Sequence, residues 1–172
     1  MKKVLMITEM GYDDSEVFYP YFRLIEENIE VFVASKEKGE VQGKYHFSIQ
    51  SDITFREVVP SMYDALLLPG GKAPEKLRLI DDVLHITQAF VQEKKPVAAI
   101  CHGQQILISA NVLDGVTATC YPGIKDDLKN AGANYEDKNV VVFENFVTSR
   151  RPEDLPYFMK EFIHLVKSGG KE

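Results

Sequence analysis

The chain has 172 residues, 45% of them hydrophobic, with 20 Lys and Arg against 26 Asp and Glu for a formal net charge of −6. That length fits one domain of about 150 residues, here 1–172, and leaves no room for a separate cofactor domain. Folding should bury roughly 70% of the unfolded surface without a disulfide or metal staple, and the acidic balance with scattered basic residues argues against a nucleic-acid partner.

Lys2 and Lys3 precede an apolar run at 4–7 that ends at Thr8-Glu9, too short for a signal peptide. No other run approaches the roughly 18 residues of a membrane span, so no membrane partner is expected. Cys101 and Cys120 are the two cysteines. A core of this size needs no bridge between them, which suits a reducing, cytoplasmic setting.

Five short apolar runs, at 4–7, 31–34, 65–68, 97–100 and 140–143, have the character of strands buried on both faces. After the first, Val17, Tyr21, Leu24 and Ile25 predict a helix face, with Pro20 expected to kink the helix or delay its start. Residues 43–51 predict an extended excursion. The acidic pair Asp81-Asp82 opens a helix with Val83, Ile86, Phe90 and Val91 on one face. Near the end, 140–143, Glu144-Asn145 and 146–148 predict a hairpin with a two-residue turn. Leu155, Phe158, Met159, Phe162, Ile163 and Val166 then trace the stripe of a last helix, followed by a frayed tail at 168–172. Alternation of this kind predicts an α/β fold: a doubly wound, mostly parallel sheet between helices, with a small antiparallel addition.

Ligands of open α/β sheets collect beyond the carboxyl ends of the strands. Three such ends carry chemistry: 9–14, Pro69-Gly70-Gly71 and Cys101-His102-Gly103. In the third, an apolar strand runs through Ala99-Ile100-Cys101-His102-Gly103 into the helix former Gln104-Gln105-Ile106-Leu107-Ile108. This is the pattern of a nucleophile elbow with cysteine in the serine's place, where Ala99 and Gly103 keep the tight turn free of clashes. A helix N-terminus under the thiol would lower its pKa from about 8.5. A lone cysteine is more often a buried structural thiol, but strand, elbow and helix together favour the nucleophile. Gly70 and Gly71 could be a plain turn; beside the elbow their N–H groups, with that of His102, could form an oxyanion hole. The Lys and Ser/Thr of a phosphate loop are missing. His102 could be a general acid/base or a spacer of the elbow. His46, His85 and His164 lack metal-ligand spacing, so neither metal nor cofactor is expected.

These residues resemble the ThiJ/PfpI superfamily of class I glutamine amidotransferase-like proteins, and within it the intracellular protease I (PfpI) branch. The resemblance covers nearly the whole chain. It rests on Tyr19-Pro20-Tyr21, Leu68-Pro69-Gly70-Gly71-Lys72-Ala73-Pro74-Glu75, Ala99-Ile100-Cys101-His102-Gly103, Tyr121-Pro122-Gly123-Ile124-Lys125-Asp126-Asp127, and Thr148-Ser149-Arg150 followed by Pro152 and Asp154. It implies a flavodoxin-like sandwich in which Cys101 is the nucleophile and His102 its partner. It further implies a homo-oligomer, a dimer that can build a hexamer, with Glu75 donated across the interface to orient His102. Tyr121 would stand at the pocket rim, and Arg150 would bind substrate anions or form a surface ion pair.

The family places a glutamate after the first strand, its protonated carboxyl meeting the cysteine sulfur. Alignment through Tyr19-Pro20-Tyr21 puts Asp13 there, one methylene shorter; Asp14 and Glu16 are nearby, but the register favours Asp13, whose other role would be a helix N-cap. Cys120, before Tyr-Pro-Gly, reads as a core thiol at a strand end.

Three functions fit an exposed thiolate. The favoured one is hydrolysis or isomerisation of reactive dicarbonyls or their protein adducts, a deglycase or glutathione-independent glyoxalase taking a small carbonyl substrate or a glycated protein or peptide. The second is an intracellular cysteine peptidase. The third is a redox sensor or chaperone with an oxidisable Cys101. Glutamine amidotransfer is disfavoured, since the chain shows neither a synthetase domain nor a further downstream histidine and glutamate pair.

Overall fold

The computed structural model describes residues 1–169. Its elements, in chain order, begin with β1 (Lys3–Ile7), α1 (Asp14–Glu26), β2 (Glu30–Ser35), β3 (Gly39–Gln42), β4 (Ser48–Ser51), β5 (Ile53–Thr54) and β6 (Ala65–Leu68). There follow α2 (Ala73–Leu77), α3 (Asp81–Gln92), β7 (Val97–Ile100) and α4 (Gln104–Ser109). The last third holds β8 (Thr117–Ala118), α5 (Lys125–Asn130), β9 (Asn134–Tyr135), β10 (Val141–Phe143), β11 (Phe146–Ser149) and α6 (Leu155–Ser168).

Seven strands form one sheet in the order β10-β11-β7-β6-β1-β2-β5. All its pairings are parallel except the β10–β11 hairpin, whose Phe143↔Phe146 register closes on the two-residue turn Glu144-Asn145. The apolar runs explain the central strands: every residue of Ala65–Leu68 and Val97–Ile100 is fully buried, as a sheet covered on both faces requires. Each leucine so buried contributes about 2 kcal/mol of hydrophobic free energy. Helix α1 packs with α6, while α3 and α2 pack with α4. The doubly wound, mostly parallel α/β architecture is therefore the observed one. The run at 140–143 is the exception among the five: it is the antiparallel edge strand, with Val142 exposed.

The excursion at 43–51 is the turn and second strand of the β3–β4 hairpin, a separate antiparallel sheet. A parallel pair, β8 with β9, was not foreseen, because two-residue strands carry no periodicity. The start of α1 is not delayed by Pro20: the helix begins at Asp14 and runs through the proline. Its buried face is also rotated from the expected one, with Glu16, Val17, Pro20 and Leu24 inward and Ile25 about half exposed. Helix α6 extends through Ser168 and stops at Gly169, which takes the left-handed conformation (φ 71°) of a helix C-cap. The remainder of the expected frayed tail, 170–172, lies outside the described residues.

Candidate active site

Strand β7 ends at Ile100, and the chain turns at Cys101 into a short 3-10 segment, Cys101–Gly103, that leads into α4. Cys101 has φ 63°, the left-handed region that a side chain enters only at some cost, so the surrounding packing holds the elbow in strain. Glycine is required two residues on: a Cβ at Gly103 would lie 2.2 Å from the backbone oxygen of Leu68. Beneath the turn, the side-chain amide of Gln104 donates to the carbonyls of Ala99 (3.1 Å), Thr119 (2.9 Å) and Ser149 (2.8 Å). One buried amide thus ties three backbone segments under the elbow.

Gly70-Gly71 is more than a plain turn. Gly71 (φ 86°) forms an antiparallel bridge with Tyr12, and a Cβ there would stand 2.3 Å from the backbone nitrogen of Asp13. The Gly71 and His102 N–H groups lie close enough to the Cys101 sulfur to favour its charged form. Gly70 departs from its expected role: its N–H donates to Glu16 Oε1 at 2.9 Å and is not a free oxyanion donor.

That bond identifies the acid beside the thiol. Glu16, fully buried on the inward face of α1, accepts from Gly70 and meets Cys101. Asp13 stands elsewhere, as the N-cap of α1. Its Oδ1 accepts from the Glu16 N–H (3.3 Å) and the Ser15 hydroxyl (2.6 Å), and its Oδ2 pairs with Lys44 at 2.9 Å. The expectation that Asp13 takes the glutamate position beside the sulfur is corrected by this geometry. The physical reason is helical: position 13 precedes the first turn and its short side chain folds back on the backbone, whereas position 16 projects inward with Val17 and Pro20. The spacing 16, 17, 20, 24 was the available signal, a buried stripe with a glutamate in it.

Burial, with the charge of Asp13 added, pushes Glu16 up to about 8, so its carboxyl is protonated at neutral pH. Oε1 accepts from Gly70, and Oε2 is buried without a hydrogen-bond partner, the free oxygen on which the proton resides. Burial likewise pushes the Cys101 thiol up, and an ionised Glu16 would push it further, while the His102 and Gly71 N–H groups pull it down. The expected lowering by the helix N-terminus is outweighed by burial. The resting sulfur is a thiol, and a neutral Glu16 spares it the further rise that an ionised one would cause.

His102 does not point away from its neighbour: its Nδ1 lies 3.2 Å from Cys101 Sγ. The ring stacks on Tyr121 with centroids 4.5 Å apart, and the Tyr121 N–H donates to the Cys101 carbonyl at 3.1 Å. Burial, and next the charge of Lys44, hold the imidazole below its usual pKa, with Glu75 acting against them. His102 is therefore a neutral base at pH 7. Glu75, at the start of α2, borders the same cleft within the one chain, a volume of about 550 Å³ that Cys101, His102, Tyr121 and Lys44 also line.

Arg150 lies apart from this cleft. Its guanidinium is held by Asp154 (Nε to Oδ2, 3.0 Å; Nη2 to Oδ1, 3.1 Å) and Asp137 (Nη1 to Oδ1, 3.0 Å), and these bonds raise its pKa. Of the two readings, ion pair or substrate binder, the geometry is that of the ion pair. Its neighbour Arg151 borders the cleft instead. Cys120 is fully buried, and burial pushes its thiol up to about 12. Among the described residues, no group of three or more His, Cys, Asp or Glu is placed to hold a metal ion, and no helix is long and apolar enough to cross a membrane.

The DJ-1/PfpI family model matches residues 2–165. The chain belongs to the DJ-1/PfpI family. It is 52% identical over 165 residues to Deglycase PH1704 of Pyrococcus horikoshii, covering 96% of this chain and 99% of that one. It is 42% identical over 168 residues to Protein/nucleic acid deglycase 2 of Escherichia coli, covering 96% and 98%. Among solved structures, a two-domain protein of Anabaena variabilis with DJ-1/ThiJ/PfpI-like and ferritin-like domains superposes with a TM-score of 0.95 at 37% identity. This family member spans 99% of its own length in that match and 49% of the longer chain.

Proposed function

We propose that this family member is a cytoplasmic, cysteine-dependent deglycase that acts on reactive dicarbonyls and on the adducts they leave on proteins, with 1–172 working as one catalytic unit. That the chain is an enzyme is supported by its close named relatives, which are deglycases. The observation that carries the reading is the convergence on Cys101 Sγ of a neutral buried carboxyl, Glu16, and a neutral imidazole, His102, at 3.2 Å.

In this reading Cys101 passes its proton to the His102 imidazole 3.2 Å away as the sulfur adds to the aldehyde carbon. The C–S bond forms as the carbonyl π bond opens, and the oxyanion, next to the Gly71 and His102 N–H groups, takes that proton back and leaves the imidazole neutral. His102 takes the proton from that carbon and returns it to the neighbouring one, giving a thioester of a hydroxy acid. Water then cleaves the C–S bond, and the thiol and hydroxy acid are released. Methylglyoxal plus water gives lactate, with no external oxidant. Glu75 and Tyr121 border the cleft and hold the imidazole's surroundings.

The test is loss of methylglyoxal and appearance of lactate with the wild type and Cys101→Ser, both folded and equally assembled. Turnover confined to the wild type is the expected result. Absence of turnover in both overturns the reading for free dicarbonyls, and Cys101-dependent peptide cleavage outpacing dicarbonyl loss would put the peptidase first.

A further inference from the structure

The cleft over Cys101 carries a charge pattern unlike that of the whole chain. The protein is acidic, at −6, yet the cleft is bordered by Lys44, Lys72 and Arg151 against Asp13 and Glu75. Lys44 and Asp13 offset each other at 2.9 Å, Glu16 and His102 are neutral at pH 7 by the reasoning above, and Lys72 with Arg151 outweigh Glu75. The two adjacent arginines differ sharply. Arg150 is neutralised by Asp154 and Asp137, whereas Arg151 is half-buried and its Nε is buried without a hydrogen-bond partner. Among the described residues no carboxylate pairs with Arg151, so its charge at the cleft is left unneutralised, and a carboxylate is the ligand group that matches a guanidinium in both charge and shape.

We propose that Arg151, supported by Lys72, is an anion-reading subsite at the mouth of the Cys101 cleft, so that the protein favours carbonyl adducts bearing a carboxylate near the reacting carbon. The proposal rests on the deglycase reading only for the identity of that carbon. The subsite itself is a property of the cleft and acts on any anionic electrophile that approaches the thiol. It adds specificity in the association step, because a cationic mouth on an acidic protein concentrates anions where the nucleophile stands.

The experiment compares alkylation of Cys101 by iodoacetate and iodoacetamide, which form the same S–CH2 bond with loss of iodide and differ in charge. Each rate is normalised to that of 2-mercaptoethanol. In the wild type the iodoacetate to iodoacetamide ratio is expected to exceed one by roughly three- to tenfold, the discounted worth of a partly exposed charge pair, and to fall as salt rises. Arg151→Gln should bring the ratio toward one, whereas Arg150→Gln, confirmed folded by circular dichroism, should leave it as in the wild type. A wild-type ratio at or below one overturns the proposal, as does a ratio unchanged in Arg151→Gln. Failure of both reagents to label Cys101 overturns the proposal and the deglycase reading together.

A second arm measures turnover of the methylglyoxal adducts of N-acetylcysteine and of its amide. A higher kcat/KM for the carboxylate form, lost in Arg151→Gln, supports the substrate class, and equal values overturn it. Anion-selective alkylation without turnover of either adduct sinks the deglycase reading alone.

Discussion

Glu16 carries the most consequential charge state in the molecule. Its ordinary pKa is 4.5 and the folded chain raises it to about 8, so between those values the native state binds the proton that the unfolded state has released. Stability from this group is therefore fully present below about pH 4.5 and declines as pH rises toward 8, where the carboxyl must ionise in place. Urea unfolding from pH 5 to 9 is expected to show that decline in the wild type and a flatter profile in Glu16→Gln, a neutral side chain of the same shape. A decline of equal size in both would show that the slope arises elsewhere. Asp13 behaves in the opposite sense: burial works to raise it, but Ser15, Lys44 and the Glu16 N–H together hold it low, so its contribution is lost as pH falls. Asp13→Ala should cost about 1 kcal/mol as a lost N-cap. Asp13→Asn should keep both the cap and most of the thiol reactivity, whereas Glu16→Ala should change Cys101 alkylation by an order of magnitude or more; the iodoacetamide rate separates the two.

At the scale of elements, the elbow was legible and the acid was not. The run from Ala99 to Gly103 announces its turn because sterics leave few alternatives, and the 2.2 Å approach to Leu68 shows why. The strands were legible because burial on both faces writes unbroken apolar runs, and the 144–145 turn because two short runs flanked two polar residues. Glu16 was hidden by its type: a glutamate near a helix start is ordinarily solvated, and only the rotation of α1, which turns Ile25 outward and Pro20 inward, reveals that it faces the core. Arg151 was hidden for a related reason, since Arg150 and Arg151 look alike in sequence and are separated only by where Asp137 and Asp154 stand. Gly103→Ala is expected to destabilise the protein by about 2 kcal/mol or more, because a backbone carbonyl of a central strand cannot retreat. It should also abolish turnover through the displaced elbow. A variant that unfolds at the wild-type urea midpoint would show that the strand can move.

At the scale of the whole molecule, the expected homo-oligomer remains a proposal with a direct measure. Sedimentation equilibrium should return a mass of two chains or a higher multiple, and one chain's mass at every concentration would overturn it. Within one chain, Glu75 already borders the cleft and acts on His102, so dissociation need not remove that carboxylate, and activity per chain after dilution would show whether a copy contributes. The order β2-β1-β6-β7 sets the acid, the glycines and the thiol at the carboxyl ends of three adjacent strands, where an open α/β sheet collects its chemistry.

That arrangement has a temporal side. The groups that tune the sulfur come from segments 54 residues apart at Glu16 and Gly70, and the carbonyls gathered by Gln104 reach on to Ser149. As a growing chain leaves the ribosome, its thiol passes through a stage at which β7 exists but β11 has not yet been made, and the amide under the elbow lacks its third carbonyl. The elbow that holds the sulfur is then tied by fewer bonds than in the finished fold. The support under the nucleophile is therefore completed by the last strand of the sheet to be made.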